Sequence, residues 1–134
     1  MPGPFHTPKI VDKPWGREIW FADQPAYAGK ILEVKAGRRL SLQYHERKTE
    51  TLCLLSGRVR LTFRPAAGDV VPSAQEVGPA DEHVWTPGRA VHIPVRTVHR
   101  FEALEDGDVA SVVAGLRLGL RGALFLLSHG APST

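Results

Sequence analysis

Residues 37 to 57 read GRRLSLQYHERKTETLCLLSG, and the alternation within them decides the fold. In RLSLQYH, period-2 phasing predicts Leu40, Leu42 and Tyr44 on one face and Ser41, Gln43 and His45 on the other. Gln43 and His45 therefore point the same way. In TETLCLLSG, Glu50, Leu52 and Leu54 share a face, so a carboxylate heads an apolar row, a placement that demands a partner. The two runs read as strands, with Glu50 re-entering from the paired strand after a turn.

The same cadence extends outward. GREIWFA, KILEVKAG, RVRLTF, HVWTPG, RAVHIP, HRFEAL and DVASVVAG are short, rich in β-branched or aromatic residues, and bounded by Gly, Pro, Asp or Ser. Eleven prolines and thirteen glycines in 134 residues suit many strands joined by turns better than a helical bundle. The expectation is all-β, an antiparallel barrel or sandwich of one-domain size. Residues 1–12 read as an N-terminal arm, 13–128 as a single barrel domain and 129–134 as a fraying tail. Arg64 to Asp81, with three prolines, two glycines and no sustained period, reads as a long loop or irregular hairpin. There is no internal repeat.

Seventeen Lys and Arg face fourteen Asp and Glu, a net charge of +3. Between Arg38 and Arg64, six arginines and Lys48 meet only Glu46 and Glu50. That excess suits a small anionic molecule; no basic and aromatic RNA motif accompanies it, which argues against a nucleic-acid partner. Arg58, Arg60 and Arg64 fall on the solvent phase of their strand. One cysteine, Cys53, excludes an internal disulfide, and the sequence does not open with a secretory leader, so a cytoplasmic location is expected. Val109 to Leu127 is the most apolar stretch, but Arg117, Arg121 and three glycines interrupt it and argue against a membrane span.

The spacing of Gly37, Gln43, His45, Glu50 and Gly57 resembles the first cupin motif, with Gln43 where a histidine is usual. GRAVHIPVRTVHRFEA, residues 88 to 103, resembles the second through Gly88, Pro94 and His99; Arg96 and Ala103 stand where glycine and asparagine are usual. Lys13 to Gly16 (KPWG), Lys30 with Ile31, and AGRRLSLQYH are similar to segments of the mannose-6-phosphate isomerase branch of the cupins. The resemblance covers roughly residues 13 to 104, and Glu46, Arg47 and Thr51 occupy places where that branch carries further histidines.

The resemblance implies a cupin jelly-roll barrel with a divalent metal held by Gln43, His45, Glu50 and His99. One amide oxygen, two imidazoles and a carboxylate suit zinc best and also accept manganese, iron, cobalt or nickel. It further implies Lys30, Arg39 and Arg96 as substrate-binding residues and a homodimer built through Ile19 to Phe21. Two readings stay open. One is an isomerase or epimerase of a phosphorylated or nucleotide-linked sugar that stabilises an enediolate on the metal; the other is a module that holds metal and a small ligand without turnover. No base is assigned: Glu46 and Glu102 alternate away from the ligands. His92 reads as structural or exposed, His6 and His83 as ordinary surface groups, and Cys53 as a small packed residue. Trp15 and Trp20 read as a hydrophobic plug or dimer surface.

Overall fold

The computed structural model describes residues 3–115 and 123–125. Its strands are β1 (Lys9–Lys13), β2 (Gly16–Asp23), β3 (Tyr27–Val34), β4 (Gln43–His45), β5 (Lys48–Arg64), β6 (Glu82–Trp85), β7 (Ala90–Ile93), β8 (Val98–Gly115) and β9 (Ala123–Phe125). All pairings are antiparallel, and the described residues contain no α-helix.

Two long strands organise the barrel. The second half of β8 lies between β3 and the first half of β5, giving one layer in the order β1, β2, β3, β8, β5, β7. The first half of β8 lies between β4 and the second half of β5, giving the other layer in the order β9, β4, β8, β5, β6. TETLCLLSG and RVRLTF, separate runs in the sequence, are thus one strand, as are HRFEAL and DVASVVAG. Gly57 explains why the chain bends there without ending the strand. Its φ is +87°, the register shifts on either side of it, and a Cβ would lie 2.2 Å from the Asp106 carbonyl oxygen.

Three sequence expectations change. The arm docks: β1 pairs with β2 from Lys9 to Lys13, and His6 Nε2 lies 2.7 Å from the Phe21 carbonyl oxygen. β4 and β5 do not pair with each other; β4 pairs with β8 and β9, so Glu50 faces His45 from the opposite layer. Finally, Leu40, Leu42 and Tyr44 do not share one environment, because regular strand spans only Gln43–His45. Leu40 enters the main core with Trp15, Leu52, Leu54, Trp85 and Phe101. Leu42 and Tyr44 join a second cluster with Val98, covered by Val71, Ala74 and Val77 of the long loop.

That loop is irregular, as expected, with one isolated bridge between Ala67 and Val70 and a 3-10 turn at Pro79–Asp81. Within the apolar stretch after Val109, residues through Gly115 belong to β8. The tail expected at 129–134 lies outside the described residues. No described helix is long and apolar enough to cross a membrane.

Candidate metal centre

The site sits between the two layers. On β5, Glu50 shares its inward phase with Leu52 and Leu54, as the sequence predicts, and β8 sets it opposite Val113. From the other layer come Gln43 and His45 on β4 and His99 on β8, with Gln43 and His99 direct cross-strand partners. All four line one cavity of about 200 Å³.

His45, Glu50 and His99 bring a donor atom each to within 4.8 Å of one another. One carboxylate oxygen is their focus: Glu50 Oε1 lies 2.7 Å from His45 Nε2 and 3.5 Å from His99 Nε2. The His99 Nδ1–H donates to the Thr97 carbonyl oxygen at 2.8 Å, which fixes the ring and directs Nε2 at Glu50. The carboxylate's other oxygen accepts from Ser111 Oγ at 3.4 Å. The Gln43 amide nitrogen reaches the Ser41 carbonyl oxygen at 3.5 Å, leaving its amide oxygen as the acceptor end.

The protonation states favour a cation as well. Burial pushes the Glu50 carboxyl up, but hydrogen bonds and charge from His45 and His99 outweigh it and hold the group well below the usual carboxylate range. Burial lowers the His45 pKa against the opposing pull of Glu50, which favours the neutral, metal-binding ring. His45 Nδ1 is buried without a partner among the described residues. An ionised carboxylate and two imidazoles with an amide beside them fit a divalent ion of the zinc class.

The sequence of the "Mannose-6-phosphate isomerase C-terminal" family matches residues 5–119. The chain belongs to that family. Among solved structures, KdgF from Halomonas sp. is 19% identical with a TM-score of 0.63, over 82% of this chain and 88% of that one. The capsular polysaccharide assembling protein CapF from Staphylococcus aureus is 21% identical with a TM-score of 0.67, over 91% of this chain but only 35% of CapF. The Cnp3 cupin domain of Schizosaccharomyces pombe is 14% identical with a TM-score of 0.58, over 78% of this chain and 68% of that one. These likenesses establish the fold, a cupin jelly roll. No curated protein matches the chain significantly.

Against the pattern of the mannose-6-phosphate isomerase C-terminal family, the expected substrate residues divide. Lys30 lines the cavity, with its Nζ 3.6 Å from Glu18 Oε2 and 4.6 Å from the centre of the Trp20 ring. Arg39 and Arg96 are not in its lining. Arg39 bridges to Glu102 along the backbone. Arg96 adopts a φ of +59° where the family motif has glycine, and that turn sends its guanidinium to Glu46 at 3.1 Å and Asp69 at 3.5 Å. Its backbone N–H donates to the His45 carbonyl oxygen at 2.7 Å, so Arg96 braces the site from outside.

Cavity residues outside the expected site set include Glu18, Trp20 and Lys48. Glu18 and Trp20 alternate inward along β2, and the Trp20 indole N–H donates to Glu18 Oε1 at 3.0 Å. Lys48, two residues before Glu50 and in the same phase, is 7% exposed and also lines the cavity. Burial lowers its pKa, opposed by Glu50. Trp20 is therefore a cavity wall, whereas Trp15 is a core plug, 1% exposed. Glu102 pairs with Arg60 at 2.8 Å and Glu46 with Arg96, so neither lines the cavity. His92 is exposed, bonded to Thr51 Oγ1 at 3.0 Å, His83 is exposed, and Cys53 is half-buried.

Proposed function

We propose that this chain is a divalent-metal-dependent isomerase of a sugar or sugar phosphate, similar in chemistry to mannose-6-phosphate isomerase. The convergence of His45, Glu50 and His99 on one buried carboxylate oxygen carries the reading, and family membership supports it. His45, Glu50 and His99 would hold the ion, zinc first, with the Gln43 amide oxygen as fourth donor. The ion would supply Lewis-acid polarisation of a carbonyl and its neighbouring hydroxyl, stabilising an enediolate.

The protein's own part is proton movement and orientation. Glu18 is the carboxylate of the lining besides Glu50. It would take the proton from the carbon beside the carbonyl and return it to the former carbonyl carbon, while the hydroxyl proton passes to the former carbonyl oxygen. Trp20 and Lys30 contact one Glu18 oxygen each, fixing the carboxylate's direction. Two sequence expectations join the proposal: a cytoplasmic location and a homodimer. Ile10, Phe21, Tyr27 and Val112, exposed together on the outer face of β1, β2, β3 and β8, support the latter.

A non-catalytic metal-binding module is the competing reading, favoured by the absence of Glu46 and Glu102 from the cavity lining. Incubating zinc-supplemented protein with mannose 6-phosphate or fructose 6-phosphate, with and without chelator, separates the two. Interconversion that the chelator abolishes and Glu18→Gln slows at least tenfold is expected, general acid–base catalysis being worth about a hundredfold or more. Bound metal with no turnover of any aldose, ketose or their phosphates would establish the module.

A further inference from the structure

The two histidines of the centre are held differently at their outer nitrogens. His99 Nδ1–H donates to the Thr97 carbonyl oxygen at 2.8 Å, so that ring has a fixed direction. His45 Nδ1 is buried and has no partner among the described residues. A buried ring nitrogen left unpaired is costly, and a histidine that ligates through Nε2 needs a partner at Nδ1 to hold its tautomer and its aim.

The register points to that partner. Thr97 is 1% exposed, and its hydroxyl also has no partner among the described residues. Gln43 stands opposite His99 in an antiparallel pair, and the Arg96 N–H donates to the His45 carbonyl oxygen at 2.7 Å. His45 comes two residues after Gln43 and Thr97 two residues before His99. Antiparallel pairing therefore sets them side by side, on the inner face that Gln43 and His99 share. Ser41, the other buried hydroxyl without a partner among the described residues, lies four residues before His45 on its own chain run, about 13 Å away at the rise of an extended chain.

A hydroxyl also suits the chemistry of that position. His45 Nε2 lies 2.7 Å from the ionised Glu50, so without an ion Nε2 carries the proton and Nδ1 is an acceptor. With an ion on Nε2, the proton sits on Nδ1, which becomes a donor. A carbonyl oxygen could serve only the second state. A hydroxyl donates or accepts by rotation and serves both.

We propose that Thr97 is the positioning residue of this centre, its carbonyl oxygen aiming His99 and its hydroxyl aiming His45 through Nδ1. One residue thereby sets the direction of both imidazoles toward Glu50. The expected effect on zinc rests on the metal-centre reading; the hydrogen bond does not, since it forms with or without the ion.

Thr97→Val keeps the shape and the backbone carbonyl but removes the hydroxyl, and Thr97→Ser restores it. Thermal unfolding checks that each variant folds, and Thr97→Ala replaces Thr97→Val if the latter does not. Competition with a chromophoric chelator should show zinc binding weakened about tenfold or more in Thr97→Val, the usual loss for an outer partner of a ligand, and recovered in Thr97→Ser. Imidazole nitrogen NMR of the metal-free protein should show the His45 Nδ1 signal displaced in Thr97→Val and restored in Thr97→Ser, with the His99 signals unmoved. In a wild type that binds zinc, a folded Thr97→Val protein that lacks either effect would overturn the assignment, as would a Thr97→Ser protein as impaired as Thr97→Val. A wild type that takes up no zinc while its His45 Nδ1 signal still depends on the hydroxyl would retain the Thr97–His45 bond and overturn the metal centre.

Discussion

The interior cluster and the outer arginines are built from the same kinds of charge, yet they face opposite physical demands. On the surface, Arg60 meets Glu102 at 2.8 Å, Arg64 meets Asp81 at 3.5 Å, and Arg96 meets Glu46 and Asp69, all with guanidinium side chains about two-fifths exposed. Water screens such pairs, and each is worth at most about 1 kcal/mol. Inside, the His45 and His99 side chains are 4% and 3% exposed, and the carboxylate they share is 13% exposed. There a charge without a counter-charge costs several kcal/mol, so the cluster has to be completed by a ligand or a proton. Basic composition between residues 38 and 64 thus says little by itself. What matters is which cations the strand phase turns inward.

Breaking the interior half of this contrast should produce the largest effect. Glu50→Gln keeps the size of the side chain but removes its charge, and His99→Ala removes an imidazole. Each is expected to weaken zinc binding by about a hundredfold or more, since even outer-shell partners of a ligand cost ten- to a hundredfold. Competition with a chromophoric chelator measures it. Full affinity in His99→Ala would remove that residue from the ligand set.

Acid should come next. His45 has a folded pKa below its ordinary value of about 6.5, so its contribution to stability is complete above that pH and is lost as pH falls through the folded value. Glu50 is lowered from about 4.3, so its contribution is present above that pH and disappears further into acid. Urea midpoints of the chelator-treated protein should hold level above neutrality and fall steadily below about pH 6.5. His45→Gln should remove the first part of that fall. A midpoint independent of pH down to about 4 would contradict the buried pair.

The smallest effects belong outside. Arg96 holds a left-handed backbone that costs a non-glycine residue about 1–2 kcal/mol, in exchange for screened ion pairs to Glu46 and Asp69. Arg96→Ala should lose the pairs and keep the strain, destabilising by about 1 kcal/mol, whereas Arg96→Gly should be near neutral. Arg60→Ala should change stability by about 1 kcal/mol or less and leave zinc affinity within about twofold. A large loss of zinc from Arg60→Ala would erase the distinction between the two regions.

How much the sequence revealed follows the same division. Gln43, His45 and Glu50 were legible because period-2 phasing converts spacing directly into a shared face, and His99 because its motif glycine and proline mark the strand before it. Lys48 was hidden in plain view. It shares the phase of Glu50, but it was counted only within the basic stretch suited to an anionic partner. Glu18 and Trp20 needed the pairing of β2 with β1 and β3, and the sequence reading set residues 1–12 outside the barrel. Arg39 and Arg96 lie outside the cavity lining, and alternation could not say so: a positive φ and an isolated bridge depend on tertiary packing.

The proposed centre places one divalent metal ion between His45, Glu50 and His99, enclosed by the two layers of the barrel. Protein prepared with supplemented zinc and exhaustively dialysed can be analysed for metal per chain beside Glu50→Gln. One equivalent in the wild type and little in the variant is the expected result. No stoichiometric metal in the wild type, or equal metal in both, would contradict it.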